Sequence, residues 1–320
     1  MRLLLGLLYG RQRMGEAVVP LMRNLAPAQN MAMPERRRSF LSSSEKIAVR
    51  FGRLFDEASN TLVTMGRSDI LIIERELDLV VMTMNRPPAN ALNTDLISSL
   101  LVNIRAFASE PSPPGIVLTG NGDRFFSAGG DIKEVVGIEV ATPRLRDFHA
   151  WLCELERYPG PVVCAVRGYA VGGAFEFLLH ADFVVANHEC QVGFPEINHG
   201  LLPAVKGMRQ AVQMLGRRAA QSLLYWGELI DASKAIEIGA IDEIAETSQV
   251  RDRAISVCRE LRGKDKKLFA AIKRSLNLTG LLDDDALDAM TIDDLKEYLG
   301  EKASAEARAR FLSKKSSNPE

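Results

Sequence analysis

From residue 69 to residue 193 short apolar runs alternate with amphipathic stretches of helical period, and after Met208 the pattern turns almost wholly helical. That order restricts the fold to an α/β core followed by an α-helical C-terminal part. Residues 69–74 and 79–84 read as strands, the second being the β-rich run Leu79-Val80-Val81-Met82-Thr83-Met84. Pro87-Pro88 stops it. Thr94 or Asp95 caps a helix to about Ser109, with Leu96, Ile97, Leu100, Leu101 and Ile104 on one side. Residues 116–119, 162–166, 183–186 and 191–193 read as further strands, and 144–158 and 173–180 as helices. Helices are then expected over 208–215, 217–226, 233–238, 250–262, 264–276 and 284–299.

The opening is different in kind. Arginines such as Arg11, Arg13, Arg36, Arg37 and Arg38 outnumber Glu16, Glu35 and Glu45, and Ser39, Ser42, Ser43 and Ser44 add polar filler. An Arg-rich, Ser-rich, acid-poor segment fits an organelle transit peptide, and equally an unstructured extension from an upstream start. The expected organisation is a basic leader over 1–64, an α/β core over 65–207 and a helical region over 208–320. The expected compartment is the cytoplasm, or the mitochondrial matrix if the leader is a transit peptide.

With 320 residues, 47% of them apolar, the chain buries a sizeable core. A formal net charge of -1 gives no reason to expect a nucleic-acid or membrane-surface partner. No apolar run approaches the roughly 18–20 residues of a membrane span. Cys153, Cys164, Cys190 and Cys258 lie far apart without a CxxC pair, so neither a disulfide framework nor a metal site is expected.

Glycine-bearing turns end three of the strands: Ser127-Ala128-Gly129-Gly130-Asp131, Val171-Gly172-Gly173-Ala174 and Gly200-Leu201-Leu202-Pro203. Glycine lets backbone approach a ligand and aim N–H groups at it. Two such groups converging on one oxygen form an oxyanion hole. The spacing of these glycines excludes a dinucleotide fingerprint, and neither a P-loop nor a G-x-S-x-G elbow occurs. Glu176 lies near the start of the helix opened by Gly172-Gly173, a position expected to keep it ionised. Glu196 follows Phe194-Pro195 among apolar neighbours, where a carboxyl holds its proton to higher pH. Carboxyls in unlike environments are the pattern of an acid–base pair. His180 reads as structural, and His199 as a loop residue within range of a bound group.

Residues 161–176, Pro-Val-Val-Cys-Ala-Val-Arg-Gly-Tyr-Ala-Val-Gly-Gly-Ala-Phe-Glu, resemble the signature of the crotonase superfamily, the enoyl-CoA hydratases and isomerases. Phe126-Ser127-Ala128-Gly129-Gly130-Asp131-Ile132 resembles its F-S-A-G-x-D-[IL] element. Asn85-Arg86-Pro87 with Asn90-Ala91-Leu92, and Phe194-Pro195-Glu196 through Pro203, resemble two more, all in the family's order.

The resemblance implies a spiral of ββα repeats with an α-helical C-terminal trimerisation region, assembled as a homotrimer or a dimer of trimers. It implies an acyl-CoA thioester substrate, with coenzyme A part of the substrate and no separate cofactor or metal. Backbone N–H groups of Gly130 and Gly173 would form the oxyanion hole. Glu176 would activate water and Glu196 would deliver the proton. Ala91, Ala128, Gly130, Asp131, Ile132 and Lys133 match positions lining the CoA and thioester, and Lys314 matches a C-terminal lysine reaching a CoA phosphate. One departure is Ala204, where the family has a glycine whose N–H reaches the reacting water; alanine lacks glycine's freedom at positive φ. The reaction the resemblance favours is hydration of a 2-enoyl-CoA. Isomerase, lyase, hydrolase or decarboxylase chemistry, and a non-catalytic acyl-CoA-binding trimer, are the alternatives.

Overall fold

Strands covered on both faces read as continuous apolar runs, and such runs form the centre of the protein. The computed structural model describes residues 63–64, 69–76, 78–134 and 137–316. All of them fall in the unit Arg53–Glu320. The strands are β1 (Val63–Thr64), β2 (Leu71–Arg75), β3 (Leu79–Met84), β4 (Gly115–Gly120), β5 (Phe125–Ser127), β6 (Val162–Val166), β7 (Tyr169–Val171), β8 (Phe183–Asn187), β9 (Gln191–Gly193), β10 (Leu229–Asp231) and β11 (Glu243–Ala245). The helices are α1 (Thr94–Ala108), α2 (Ile138–Arg157), α3 (Gly173–His180), α4 (Val205–Trp226), α5 (Ala232–Glu237), α6 (Val250–Arg262), α7 (Lys266–Leu278), α8 (Asp284–Leu299) and α9 (Lys302–Ser316).

The larger sheet has the order β1-β2-β3-β4-β6-β8-β11. It is parallel from β3 to β11, with antiparallel pairs β1/β2 and β2/β3 at one edge. Side chains alternate across it, as the pleat requires. Leu79, Val81, Val117, Val163 and Val185 pack on one face against Val250, Ala254, Val257 and Cys258 of α6. Val80, Met82, Ile116, Leu118, Val162 and Cys164 face the other way, in a core shared with α1, α2 and α3.

The smaller sheet has the order β10-β9-β7-β5, with β5, β7 and β9 parallel. One strand in each sheet followed by a helix is the repeating unit: β4-β5-α2, then β6-β7-α3. In the third turn of the spiral, β8-β9 leads through a 3-10 turn, Pro195–His199, into α4. This is the crotonase-like α/β spiral with C-terminal helices that the resemblance implied.

Several details differ from expectation. Asn93, not Thr94 or Asp95, caps α1, its side chain accepting the Leu96 N–H at 3.0 Å. Helix α2 starts at Ile138 rather than Arg144 and takes Pro143 into its body. Gly216, at φ 76, interrupts α4 where the sequence placed a boundary between two helices. Strands β5, β7, β10 and β11 and helix α9 were not anticipated. Strand β1 falls at the end of the stretch read as a leader; residues 1–62, and with them nearly all of that expectation, lie outside the described residues.

Candidate active site

In a parallel sheet the C-terminal strand ends lie side by side, and the turns leaving them meet. Register in the smaller sheet sets Ser127 beside Ala170 and Val171 beside Gly193. The next residues along each strand are therefore brought together: Ala128–Asp131, Gly172-Gly173 and Phe194-Pro195-Glu196. Two of the three glycine turns singled out in the sequence meet here, and Leu201 and Leu202 of the third complete the wall. Gly129 permits the approach. Its φ is 79°, and a Cβ there would stand 2.5 Å from Val171 O and 3.3 Å from Gly173 N.

The two expected oxyanion donors line one cavity of about 330 Å³. Gly130 forms an isolated parallel bridge with Leu92. Its bonds run from Leu92 N to Gly129 O (2.8 Å) and from Asp131 N to Leu92 O (3.0 Å). Because the flanking residues supply both bonds, the N–H of Gly130 itself is turned away from Leu92. Gly173 opens α3, where the first N–H groups have no intrahelical acceptor. Among the described residues, neither N–H donates to a backbone carbonyl.

Glu176 and Glu196 line the same cavity. Glu176 is buried, and its Oε1 accepts the Ala204 N–H at 3.3 Å. Gly172 lies under Glu196, since a Cβ on that glycine would come within 2.6 Å of Glu196 Oε1. One oxygen of each carboxyl, Oε2, is buried without a protein partner; buried polar atoms of this kind call for a hydrogen-bonding ligand or water. Burial pushes Glu176 well above the ordinary glutamate range, and the charge of Glu196 pushes the same way. The N–H groups of Ala204 and Gly207 favour the anion and are outweighed. Burial raises Glu196 as well, against its own backbone N–H. The expectation that a helix N-terminus keeps Glu176 ionised is therefore corrected: desolvation dominates at both carboxyls.

At Ala204 the position makes no demand for glycine's freedom at positive φ. Its φ is −61° and ψ 140°, an extended conformation open to any residue, and its N–H is in use on Glu176. Of the other family-implied positions, Ala128 and Ile132 line the cavity. Asp131 is buried and does not line it; its carboxylate pairs with Arg86 at 2.7 Å and accepts the Lys133 N–H at 3.1 Å. Arg86 also reaches the carbonyl of Ala91 at 3.2 Å, so Asp131 and Ala91 belong to one braced loop. Lys133 is exposed. Lys314 is on α9, and its side chain lies outside the described residues. His180 holds Glu176 O at 2.7 Å through Nδ1, with Nε2 3.3 Å from Glu156, while His199 is exposed on the cavity rim.

Sequence reasoning missed two residues. Gly207 is buried in the first turn of α4, and a Cβ there would stand 2.2 Å from Glu176 Cδ. It is the seat of that carboxyl, so the N-terminus of α4 meets Glu176 through Ala204 and Gly207. It closes the Pro203-Ala204-Val205-Lys206-Gly207 run, of which the sequence reading took up only Ala204. The other is Arg144, a basic group on a wall otherwise formed largely by Leu92, Ile97, Leu145, Phe148 and Leu201.

A family model described as Enoyl-CoA hydratase/isomerase matches residues 74–318. The 2,3-dehydroadipyl-CoA hydratase of Escherichia coli (strain K12) is 31% identical over 208 residues, covering 64% of this chain and 81% of that protein. The crotonyl-CoA hydratase of Syntrophomonas wolfei is 27% identical over 253 residues, covering 78% and 96%. Among solved structures, an enoyl-CoA hydratase from Polaromonas sp. JS666 superimposes with a TM-score of 0.71 at 26% identity, over 76% of this chain and 97% of that one. Pseudomonas aeruginosa DspI gives 0.73 at 24% identity, over 78% and 96%.

Proposed function

Because the chain belongs to the enoyl-CoA hydratase/isomerase family, we propose that it is a hydratase adding water across the C2=C3 bond of a 2-enoyl-CoA. The observation that carries this reading is the pairing of Glu176 and Glu196 on one cavity wall, both raised by burial, beside the free N–H groups of Gly130 and Gly173. The N–H groups donate to the thioester oxygen and stabilise the charge that grows on it; each donor contributes roughly 3 to 4 kcal/mol to the transition state. That withdrawal of charge makes C3 electrophilic. One carboxylate takes a proton from water as oxygen bonds to C3, and the other carboxyl gives its proton to C2. A pair sharing a single proton supplies both partners, and the roles exchange in dehydration.

We assign water activation to Glu176, which accepts the Ala204 N–H at the N-terminus of α4, and proton delivery to Glu196. The apolar wall receives the acyl chain, coenzyme A enters as part of the substrate, and the braced loop holding Ala91 and Asp131, with Ala128, Ile132 and Lys133, borders the thioester arm. A homotrimer is the proposed assembly. Apolar side chains exposed on α7 and α8, among them Ile272, Leu276, Ile292 and Leu295, fit subunit contacts. No described helix is long and apolar enough to cross a membrane.

The test follows loss of the ultraviolet absorbance of crotonyl-CoA and longer 2-enoyl-CoAs as water adds, in the parent and in Glu176→Gln and Glu196→Gln. Loss of turnover in both variants supports the pair. Equal rates in parent and variants would remove the two-carboxyl mechanism, and double-bond migration without hydration would assign isomerase chemistry instead.

A further inference from the structure

Arg144 projects from α2 into the wall beside Gly130, with its side chain only 13% exposed. Three contacts fix it there. Its Nη2 donates to Leu92 O at 2.6 Å. Its Nε stands 3.4 Å from Glu134 Oε2. The same Nη2 lies 3.1 Å from where a Cβ on Gly130 would be, so the guanidinium rests directly on that glycine's backbone.

Each contact bears on one short stretch. Leu92 O is also the acceptor for the Asp131 N–H, and Leu92 N donates to Gly129 O, so Leu92 clasps Gly130 from both sides. Glu134 Oε2 takes the N–H and the hydroxyl of Thr94, at 2.8 and 2.9 Å, tying the far end of the turn to the start of α1. Arg144 thus spans the bridge at Leu92, the glycine between its two bonds, and the carboxylate closing the turn. A planar guanidinium serves several acceptors at fixed angles; an ammonium is a single point charge and cannot.

We propose that Arg144 is a positioning residue that sets the aim of the Gly130 N–H toward the reacting carbonyl oxygen. The inference rests on the hydratase reading for its kinetic consequence, but not for its structural one. Losing the guanidinium frees the 129–134 turn to rotate, and a donor misaimed by a fraction of an ångström loses much of its transition-state advantage.

The experiment compares Arg144→Met and Arg144→Lys with the parent. Hydrogen exchange measured by mass spectrometry on peptides covering residues 125–134 is expected to quicken about tenfold in Arg144→Met, with peptides from α6 unchanged. On crotonyl-CoA, kcat is expected to fall about 100-fold with little change in KM, the mark of an interaction made in the transition state. Arg144→Lys recovers only part of that loss. A bound aryl-conjugated enoyl thioester shifts to longer wavelength when its carbonyl is polarised, and this shift is expected to shrink in Arg144→Met. Unchanged exchange over 125–134 overturns the proposal whatever the activity, and so does a full shift with unchanged kcat. If the parent hydrates no enoyl-CoA while the exchange still quickens in Arg144→Met, the hydratase reading fails and the positioning role stands.

Discussion

The two sheets of this protein share a connectivity and divide the labour. The centre of the larger sheet, β3, β4, β6 and β8, is built from apolar strands buried on both faces, and none of the proposed acid, base or oxyanion groups sits on them. In the smaller sheet β5, β7 and β9 are each three residues long, yet the segments that follow them, α3 included, hold Gly130, Gly173, Glu176 and Glu196. Burial makes the first sheet stable and leaves it nothing to present. Short strands that stop early leave glycines and carboxyls at their ends, close together and only partly satisfied. The lesson is that here scaffold and chemistry occupy separate sheets joined strand by strand, so damage to one need not register as damage to the other.

The strongest attack on this division is at the carboxyls. Glu176→Gln and Glu196→Gln are each expected to lower kcat for crotonyl-CoA by about 10³-fold, within the range of general acid–base catalysis, while the fold is retained. Next is Gly207→Ala. Its added Cβ would meet Glu176 Cδ at 2.2 Å and displace the carboxyl from the N-terminus of α4. Displacement on that scale is expected to cost about 100-fold in kcat. If Gly207→Ala keeps full activity, α4 does not seat Glu176 and the site is simpler than described.

The same contrast explains what was legible in the sequence. The runs at β3, β4, β6 and β8 and the helices packing on them show in the spacing of apolar residues, because burial on both faces leaves no room for polar ones. Strands β5 and β7 do not, because a three-residue strand has no period, and β7, flanked by Gly168 and Gly172, reads as a turn. Glu176 and Glu196 were found through motif resemblance, but the balance of forces on Glu176 was not. Its position on its own helix is local and visible; its burial against α4 and Glu196 is tertiary. Arg144 was hidden for the same reason. At the start of an amphipathic helix an arginine reads as solvated, and only the bridge at Leu92 turns it inward.

The reciprocal experiment strikes the large sheet. Leu79→Ala empties a position 1% exposed between β3 and α6. It is expected to cost about 3 kcal/mol in denaturant unfolding and to leave kcat unchanged. A fall in kcat comparable to that of Gly207→Ala would mean that the two sheets are not separable in function, and the division drawn above would have to be abandoned.

The smallest effect expected is also the one that couples function to stability. Burial raises Glu176 above its unfolded value, so the folded state binds its proton more tightly than the unfolded chain does. The stability this carboxyl contributes is therefore fully present below the unfolded glutamate pKa of about 4.3 and is lost as pH rises through the folded value. Glu176→Gln carries no titrating proton and escapes that loss. Its melting temperature is expected to match the parent near pH 4.5 and to exceed it by a few degrees at pH 8, measured by calorimetry on both proteins. Asp131 shifts in the opposite direction, but it is present in both proteins and drops out of their difference. A variant that melts lower than the parent at pH 8 would show that Glu176 is better stabilised as an anion than its burial implies. The helix N-terminus of α4 would then outweigh desolvation at Glu176.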